Sequence, residues 1–274
     1  MTDYFEELKK TLKLLVDNHN IFLLIPIYLL CFVIILLVGA GLAGMLFLLN
    51  GASTTPNFTP LLITVGIIEL CIFLVVMIII GGYTTALTTG FLKEIALKGS
   101  CPFSRIWDYG NQYWKTFAVY GVIRGFGMVL LPISVLALVI ILAVVVDGVG
   151  KILLIILAVI LGLLLFAHLL LLYFSQFFSM AMIITQNTLA VETIKKGYKY
   201  LVQKPGNVFA TFGILFLVGI PVGIFEGIFS VINNIIPYVS VITVPISLFL
   251  RFCLFVFSMI YMIRCYASEN NIKK

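Results

Sequence analysis

Long apolar runs alternate with short amphipathic stretches along this chain. An apolar run of about 20 residues is enough to cross the hydrocarbon core of a bilayer as a helix, and six runs here are longer than that. Their approximate bounds are 21–49, 61–87, 117–146, 152–184, 208–232 and 239–266. The pattern therefore predicts an all-α polytopic membrane bundle with six transmembrane helices.

The amphipathic stretches lie at residues 3–18, from Phe103 to Trp114, and from Thr188 to Lys204. In each of them, large apolar side chains recur at spacings of three and four residues, with charged side chains between them. This spacing is typical of a helix that lies in a membrane surface with its polar face toward water. We therefore predict three surface helices beside the six spans.

Each predicted surface helix is followed by two predicted spans, and this order recurs along the chain. A recurring order of elements indicates an internal repeat. We interpret the chain as a single integral membrane domain, residues 1–274, built from three pseudo-repeats. Their approximate bounds are 1–98, 99–187 and 188–274.

The composition excludes a large soluble domain. Hydrophobic residues make up 62% of the chain and charged residues 10%, whereas a soluble domain is about half apolar and a quarter charged. The first apolar run follows a charged helix and lacks a small-residue cleavage site, so we expect it to remain in the protein. The five cysteines are scattered without a CxxC pair, and we predict no disulfide framework, metal site or cofactor.

The basic residues are distributed unevenly between the two predicted sides of the membrane. One side carries the N-terminus, residues 93–115 and residues 195–204, whereas Lys151 is the only basic residue of the loops predicted on the other side. The positive-inside rule places the basic side in the cytoplasm. The sequence thus predicts a multi-pass protein of the cell membrane with both termini cytoplasmic. We interpret the net charge of +6 as a topology signal and expect no nucleic-acid partner.

Ionisable side chains within the predicted spans are the candidate functional residues, because burying them costs free energy unless they are paired or hydrated. Glu69, Glu226 and Arg251 lie deep enough for Arg251 to reach one of the two carboxylates. Arg124 lies near a span end, where its side chain can extend to the headgroups, and His168 lies in mid-span. Two interpretations stay open: a structural ion pair, or a hydrated cavity that binds substrate or lipid.

The third surface helix carries the lysines Lys195, Lys196 and Lys199 on one face. Each basic residue near an anionic membrane surface contributes about 1 kcal/mol of attraction. These lysines are therefore a candidate site for anionic lipid. The alternative is that they serve only to orient the chain in the membrane.

The residues from Val191 to Val202, Val-Glu-Thr-Ile-Lys-Lys-Gly-Tyr-Lys-Tyr-Leu-Val, precede an apolar span. This element resembles one found in the prokaryotic six-span membrane domain attached to some glycerophosphoryl diester phosphodiesterases, and in related stand-alone families. In that element an Ala-Ile-Lys-Arg-Ser-like helix precedes the fifth span, and this chain has Lys196-Gly197 where Arg-Ser is common. The resemblance implies the six-span fold and suggests work on lipids or the cell envelope, but it assigns no catalytic residue, since no phosphodiesterase domain is present.

Three functions are compatible with the sequence. The first is a non-enzymatic membrane protein that binds or translocates lipids or other amphipathic molecules. The second is a structural or scaffolding subunit of a membrane complex or permease, with a homo-oligomer or another membrane protein as partner. The third is an intramembrane enzyme, which the sequence favours least because it contains no GxSxG, HExxH, phosphate-loop or Cys/His motif.

Overall fold

The computed structural model of the protein describes residues 3–50, 60–130, 132–137, 139 and 149–272. These residues contain no strand. Six of their helical segments are long and apolar enough to cross a membrane. The chain is therefore an all-α, multi-pass membrane protein, as the apolar pattern predicts.

Nine helices are numbered in chain order within the described part of the chain. They are α1 Tyr4–Asp17, α2 Leu24–Asn50, α3 Pro60–Lys98, α4 Ile106–Gly125, α5 Val149–Ser175, α6 Ser179–Gln186, α7 Ala190–Gln203, α8 Pro205–Ile235 and α9 Ser240–Glu269. Short 3-10 turns lie at His19–Leu23, Phe103–Arg105 and Pro237–Val239, and a π-helical turn lies at Phe126–Leu130.

Helix boundaries follow local chemistry. The Asp3 carboxylate accepts hydrogen bonds of 3.1 Å from the backbone N–H groups of Phe5 and Glu6, which caps the first turn of α1. Pro205 opens α8, where a missing N–H is tolerated. The predicted separation of the first surface helix from the first span is confirmed, since α1 ends at Asp17 and a 3-10 turn follows.

Two boundaries differ from the expected ones. Helix α4 runs from Ile106 to Gly125, so that the second surface helix is continuous with the third span. The reason is that no proline interrupts this stretch, and an interior glycine costs only about 1 kcal/mol. The fourth span is instead divided into α5 and α6 by a short break at residues 176–178. The short turn expected at 147–150, between the third and fourth spans, is not confirmed at its end, since α5 already begins at Val149. Its first two residues, the end of the third span near 146 and residues 51–59 between the first two spans lie outside the described residues.

The chain forms two compact units. The larger unit comprises Met1–Asn18, Leu92–Cys101 and Ile123–Lys274, and the smaller unit comprises His19–Phe91 and Pro102–Val122. The plan of three pseudo-repeats stays a prediction.

Small residues bring α3 and α4 together in the smaller unit. A Cβ atom placed on Gly82 would lie 2.7 Å from the Cβ atom of Ala118, and one on Gly90 would lie 2.2 Å from the Tyr109 ring. Such distances are shorter than van der Waals contact, so only glycine permits this approach. Small residues commonly allow such helix–helix contact in membrane proteins, and here the contact lies within the chain.

Helix α9 forms the centre of the larger unit, with α1 and α8 packed against it. Aromatic rings fill the space between α5, α7, α8 and α9. The ring centroids of Phe178 and Tyr200 are 5.4 Å apart, and those of Tyr200 and Tyr266 are 5.5 Å apart. Helix α7 approaches the end of α5 closely, because Gly197 lies against the carbonyl oxygen of Ser175.

Helix α1 packs with its polar side inward. Glu7 and Thr11 are buried, whereas Phe5 and Val16 are 74% and 72% exposed, and Leu12 is also exposed. A helix of a soluble protein buries its apolar stripe instead. The exposed apolar side of α1 therefore has the arrangement expected for a helix that lies in a membrane surface.

Candidate functional site

Glu69 lies in α3 of the smaller unit, nine residues after Pro60, which corresponds to about 13 Å along the helix axis. Its side chain is buried, with 5% of the residue exposed. It lines an open cleft of about 490 Å³ between α2 and α3, a volume within the usual range for small-molecule sites. The other lining residues are Gly39, Leu42, Ala43, Gly66, Leu70 and Phe73.

Neither carboxylate oxygen of Glu69 has a hydrogen-bond partner within the part of the chain that the structure describes. An unpaired carboxyl group in apolar surroundings is costly, and in membrane spans such groups mark binding sites or ion paths. A bound molecule that supplies a hydrogen-bond donor or a positive charge would remove this cost. The cleft thus combines apolar walls with one buried acceptor group that has no donor in the described part of the chain.

The second candidate pair lies in the larger unit and joins α8 to α9. The Nε atom of Arg251 donates to Glu226 Oε1 and its Nη2 atom donates to Oε2 at 3.0 Å. Ser247 donates to the same carboxylate at 3.1 Å. Of the two partners that the sequence allowed for Arg251, the structure pairs it with Glu226. The Arg251 side chain is 65% exposed on the surface of the chain.

Replacing Arg251 with leucine should lower the melting temperature of the protein in detergent. Glu226 would lose both guanidinium donors, although Ser247 would still donate to it. The double variant E226L/R251L should recover most of the loss, because two apolar side chains can replace an ion pair in an apolar setting. Thermal unfolding of both variants measures this, and equal loss in the single and double variants would contradict it.

The other predicted site residues lie on α4, α5 and α7. Arg124 is half-buried in the last turn of α4, and His168 is half-buried within α5. On α7, Lys195 and Lys199 are exposed, whereas Lys196 forms an ion pair of 2.9 Å with Glu192.

The Lys196 ammonium group lowers the pKa of the Glu192 carboxyl, first through its hydrogen bond and then through its charge. The positive charge of Lys196 is therefore partly balanced by Glu192 within the helix. The charges of Lys195 and Lys199 are thus more available to an anionic surface than the charge of Lys196, which is paired with Glu192.

A buried polar cluster in the larger unit was not predicted from the sequence. In the larger unit, the Nε atom of Arg264 donates to Glu7 Oε2 at 2.6 Å, and its Nη1 atom donates to the carbonyl oxygen of Ala96 at 2.8 Å. Arg264 is 8% exposed. The cluster therefore ties α1 and the last turns of α3 to α9. A cavity of about 160 Å³ adjoins the ion pair.

Further hydrogen bonds hold the first turn of α1. Tyr4 donates through its hydroxyl to Asn207 Oδ1 at 2.8 Å, and the Tyr261 hydroxyl donates to the Tyr4 carbonyl at 3.2 Å. Burial raises the pKa of the Tyr4 phenol above its ordinary value and raises the pKa of Tyr200 to about 12. Both phenols therefore stay neutral near pH 7, and Tyr4 remains a hydrogen-bond donor.

The Glu7–Arg264 pair is hard to foresee because neither residue is unusual on its own. Glu7 lies on a helix rich in charges, and Arg264 lies two residues inside the predicted end of the sixth span. A basic residue at that depth ordinarily extends to the headgroups. The one sequence feature compatible with the pair is that Glu7 and Arg264, near the two ends of the chain, carry opposite charges.

Comparison with family models, curated proteins and solved structures finds no match for this chain. The resemblance to the phosphodiesterase-associated membrane domain stays a prediction. The departure at Gly197 has a physical reason, because a Cβ atom there would lie 2.1 Å from the Ser175 carbonyl oxygen. A serine, which is common at that place in the resembling element, does not fit this packing.

Proposed function

We propose that this protein is a non-enzymatic integral membrane protein that binds amphipathic molecules, lipids among them, in the cleft between α2 and α3. The observation that carries the proposal is the buried, unpartnered carboxyl group of Glu69 at the wall of an apolar cleft. Apolar walls suit a hydrocarbon chain, and the carboxyl group suits the polar end of the same molecule. Movement of the ligand across the membrane would extend this function to transport.

The proposed orientation follows from the charges. The basic stretches that end α3 and form α7 lie in the cytoplasm by the positive-inside rule, which also places both termini there in a cell membrane. In this orientation the exposed apolar residues of α1, such as Phe5 and Val16, enter the inner leaflet. Lys195 and Lys199 then face anionic headgroups.

The experiment that tests the proposal fills the cleft. Replacing Ala43 with phenylalanine should reduce the amount of co-purified amphiphile at least tenfold, because a large side chain then occupies the space lined by Glu69 and Phe73. The measurement is native mass spectrometry of protein extracted with a mild detergent, followed by lipid analysis of the bound fraction.

The matched control is Gly41→Phe on the same helix. A Cβ atom on Gly41 meets no atom within 4 Å, and Gly41 lies on the opposite side of α2 from the lining residues Gly39 and Ala43, since an α-helix has 3.6 residues per turn. The wild-type protein and G41F should retain the same amphiphile. Equal retention by A43F and G41F, or no bound amphiphile in any form, would contradict the proposal.

A second function, that of a subunit in a larger membrane assembly, is favoured by a different observation. The Arg251 side chain is largely exposed although it belongs to a helix long and apolar enough to span a membrane. Contact with another chain would remove this charged group from lipid. A stable stoichiometric partner in gentle pull-downs, lost in the E226L/R251L variant, would support this function instead.

A further inference from the structure

The polar groups of the Glu69 cleft are unbalanced in charge. Its lining residues, as far as the structure describes them, contribute one carboxyl group and neither a lysine nor an arginine. Among the residues that the structure describes, neither oxygen of that carboxyl group has a hydrogen-bond donor. An anionic headgroup would meet only the negative carboxylate there, and a phosphate group would find no counter-charge.

The aromatic residue in the lining also favours a cationic ligand. Phe73 borders the cleft together with Glu69, and the face of an aromatic ring attracts cations. Gly39 lies beside this ring, since a Cβ atom on Gly39 would be 3.5 Å from Phe73 Cε2. Phe73 is half-buried, and glycine at position 39 adds no side chain that would cover more of its ring.

We infer that the ligand of this cleft is an amphiphile with a cationic amine headgroup and a hydrocarbon chain. This inference rests on the proposed function and names its substrate class. The ammonium group donates to the two oxygens of Glu69, where its charge balances the carboxylate. The chain lies against Leu42 and Leu70, and the ring of Phe73 borders the ammonium group.

The test uses three probes with the same chain and different headgroups: dodecylamine, dodecanol and dodecanoate. The full-length protein in mild detergent receives each probe separately at the same concentration, because the amine and the alcohol differ in mass by only about 1 Da, and native mass spectrometry counts the adducts. We expect the wild-type protein to retain dodecylamine at least tenfold more than dodecanol, and to retain dodecanoate least. In the E69Q variant the preference for the amine over the alcohol should fall to about twofold or less.

Two variants control for indirect effects. Glu69→Asp keeps the charge and should preserve a preference for the amine, whereas Cys71→Ser alters an exposed residue of the same helix and should leave all retention unchanged. The A43F variant should reduce retention of every probe.

The outcomes separate the inference from the proposed function. If the wild-type protein retains amine and alcohol equally, and A43F removes both, amphiphile binding stands and the cationic preference is overturned. Preference for dodecanoate, or an amine preference that persists unchanged in E69Q, also overturns the inference. If no probe binds to the wild-type protein, the proposed function fails together with the inference.

Discussion

Replacing Arg264 with leucine is expected to destabilise the protein by about 3–5 kcal/mol, because removal of one partner from a buried ion pair leaves the other charge unpaired. The residue left behind is Glu7, which is itself buried. Lys10 lies 3.6 Å from the other carboxylate oxygen of Glu7 and offsets part of the loss. The carbonyl oxygen of Ala96 also loses its 2.8 Å donor.

Two measurements check this expectation. Thermal unfolding in detergent should show a lower melting temperature for R264L than for the wild-type protein. Limited trypsin digestion should cut faster at Lys9 and Lys13 of α1, since a protease needs locally unfolded chain. The double variant E7L/R264L should be more stable than R264L, because it leaves no unpaired charge. If R264L matched the wild-type protein in both assays, the ion pair would not hold α1 in place.

Replacing Gly197 with alanine is expected to destabilise the packing of α7 on α5 by about 1–3 kcal/mol, the usual cost of an overpacked contact. The added Cβ atom would lie 2.1 Å from the Ser175 carbonyl oxygen. A backbone oxygen cannot rotate aside as a flexible side chain can, so one of the two helices must move. The rings of Tyr200 and Phe178, whose centroids are 5.4 Å apart, would separate with it.

A matched substitution isolates this effect from the general preference of helices for alanine. Gly206 lies in the first turn of α8, and a Cβ atom there meets nothing within 4 Å. The G206A variant should therefore unfold at the wild-type temperature or slightly above it. Equal melting temperatures for G197A and G206A would show that α7 tolerates a wider separation from α5.

The fold was largely predictable because membrane spans are encoded in local composition. The run from 205 to 235 is mostly apolar although it contains Glu226, and a single run of this length satisfies its backbone groups in lipid as a helix. The break between α5 and α6 was not predicted, since residues 176–178 contain neither glycine nor proline. At this break the carbonyl oxygen of Ser175 lies against Gly197 of α7, and no local sequence pattern records such a contact.

The candidate site was predicted only in part. Glu69 was recognised because a carboxyl group in an apolar run is conspicuous, and Arg251 was expected to reach one of two carboxylates. The cleft itself needed the structure, since its walls join Ala43 of α2 to Glu69 of α3. The burial of Glu7 on α1 was also beyond the sequence pattern, which marks the apolar face of a helix without saying which face meets the protein.

The bond between Arg264 and Glu7 joins residues 257 positions apart, and this separation sets an order of events during synthesis. At about 5–20 residues per second, α1 leaves the ribosome roughly 10–50 s before its partner on α9 does. Until then Glu7 has no Arg264 to pair with, and the helix can contact the membrane only through its outer, apolar side. Phe5 and Val16 can hold the helix at the membrane during that interval, so that the last span to be inserted finds the first helix already beside it.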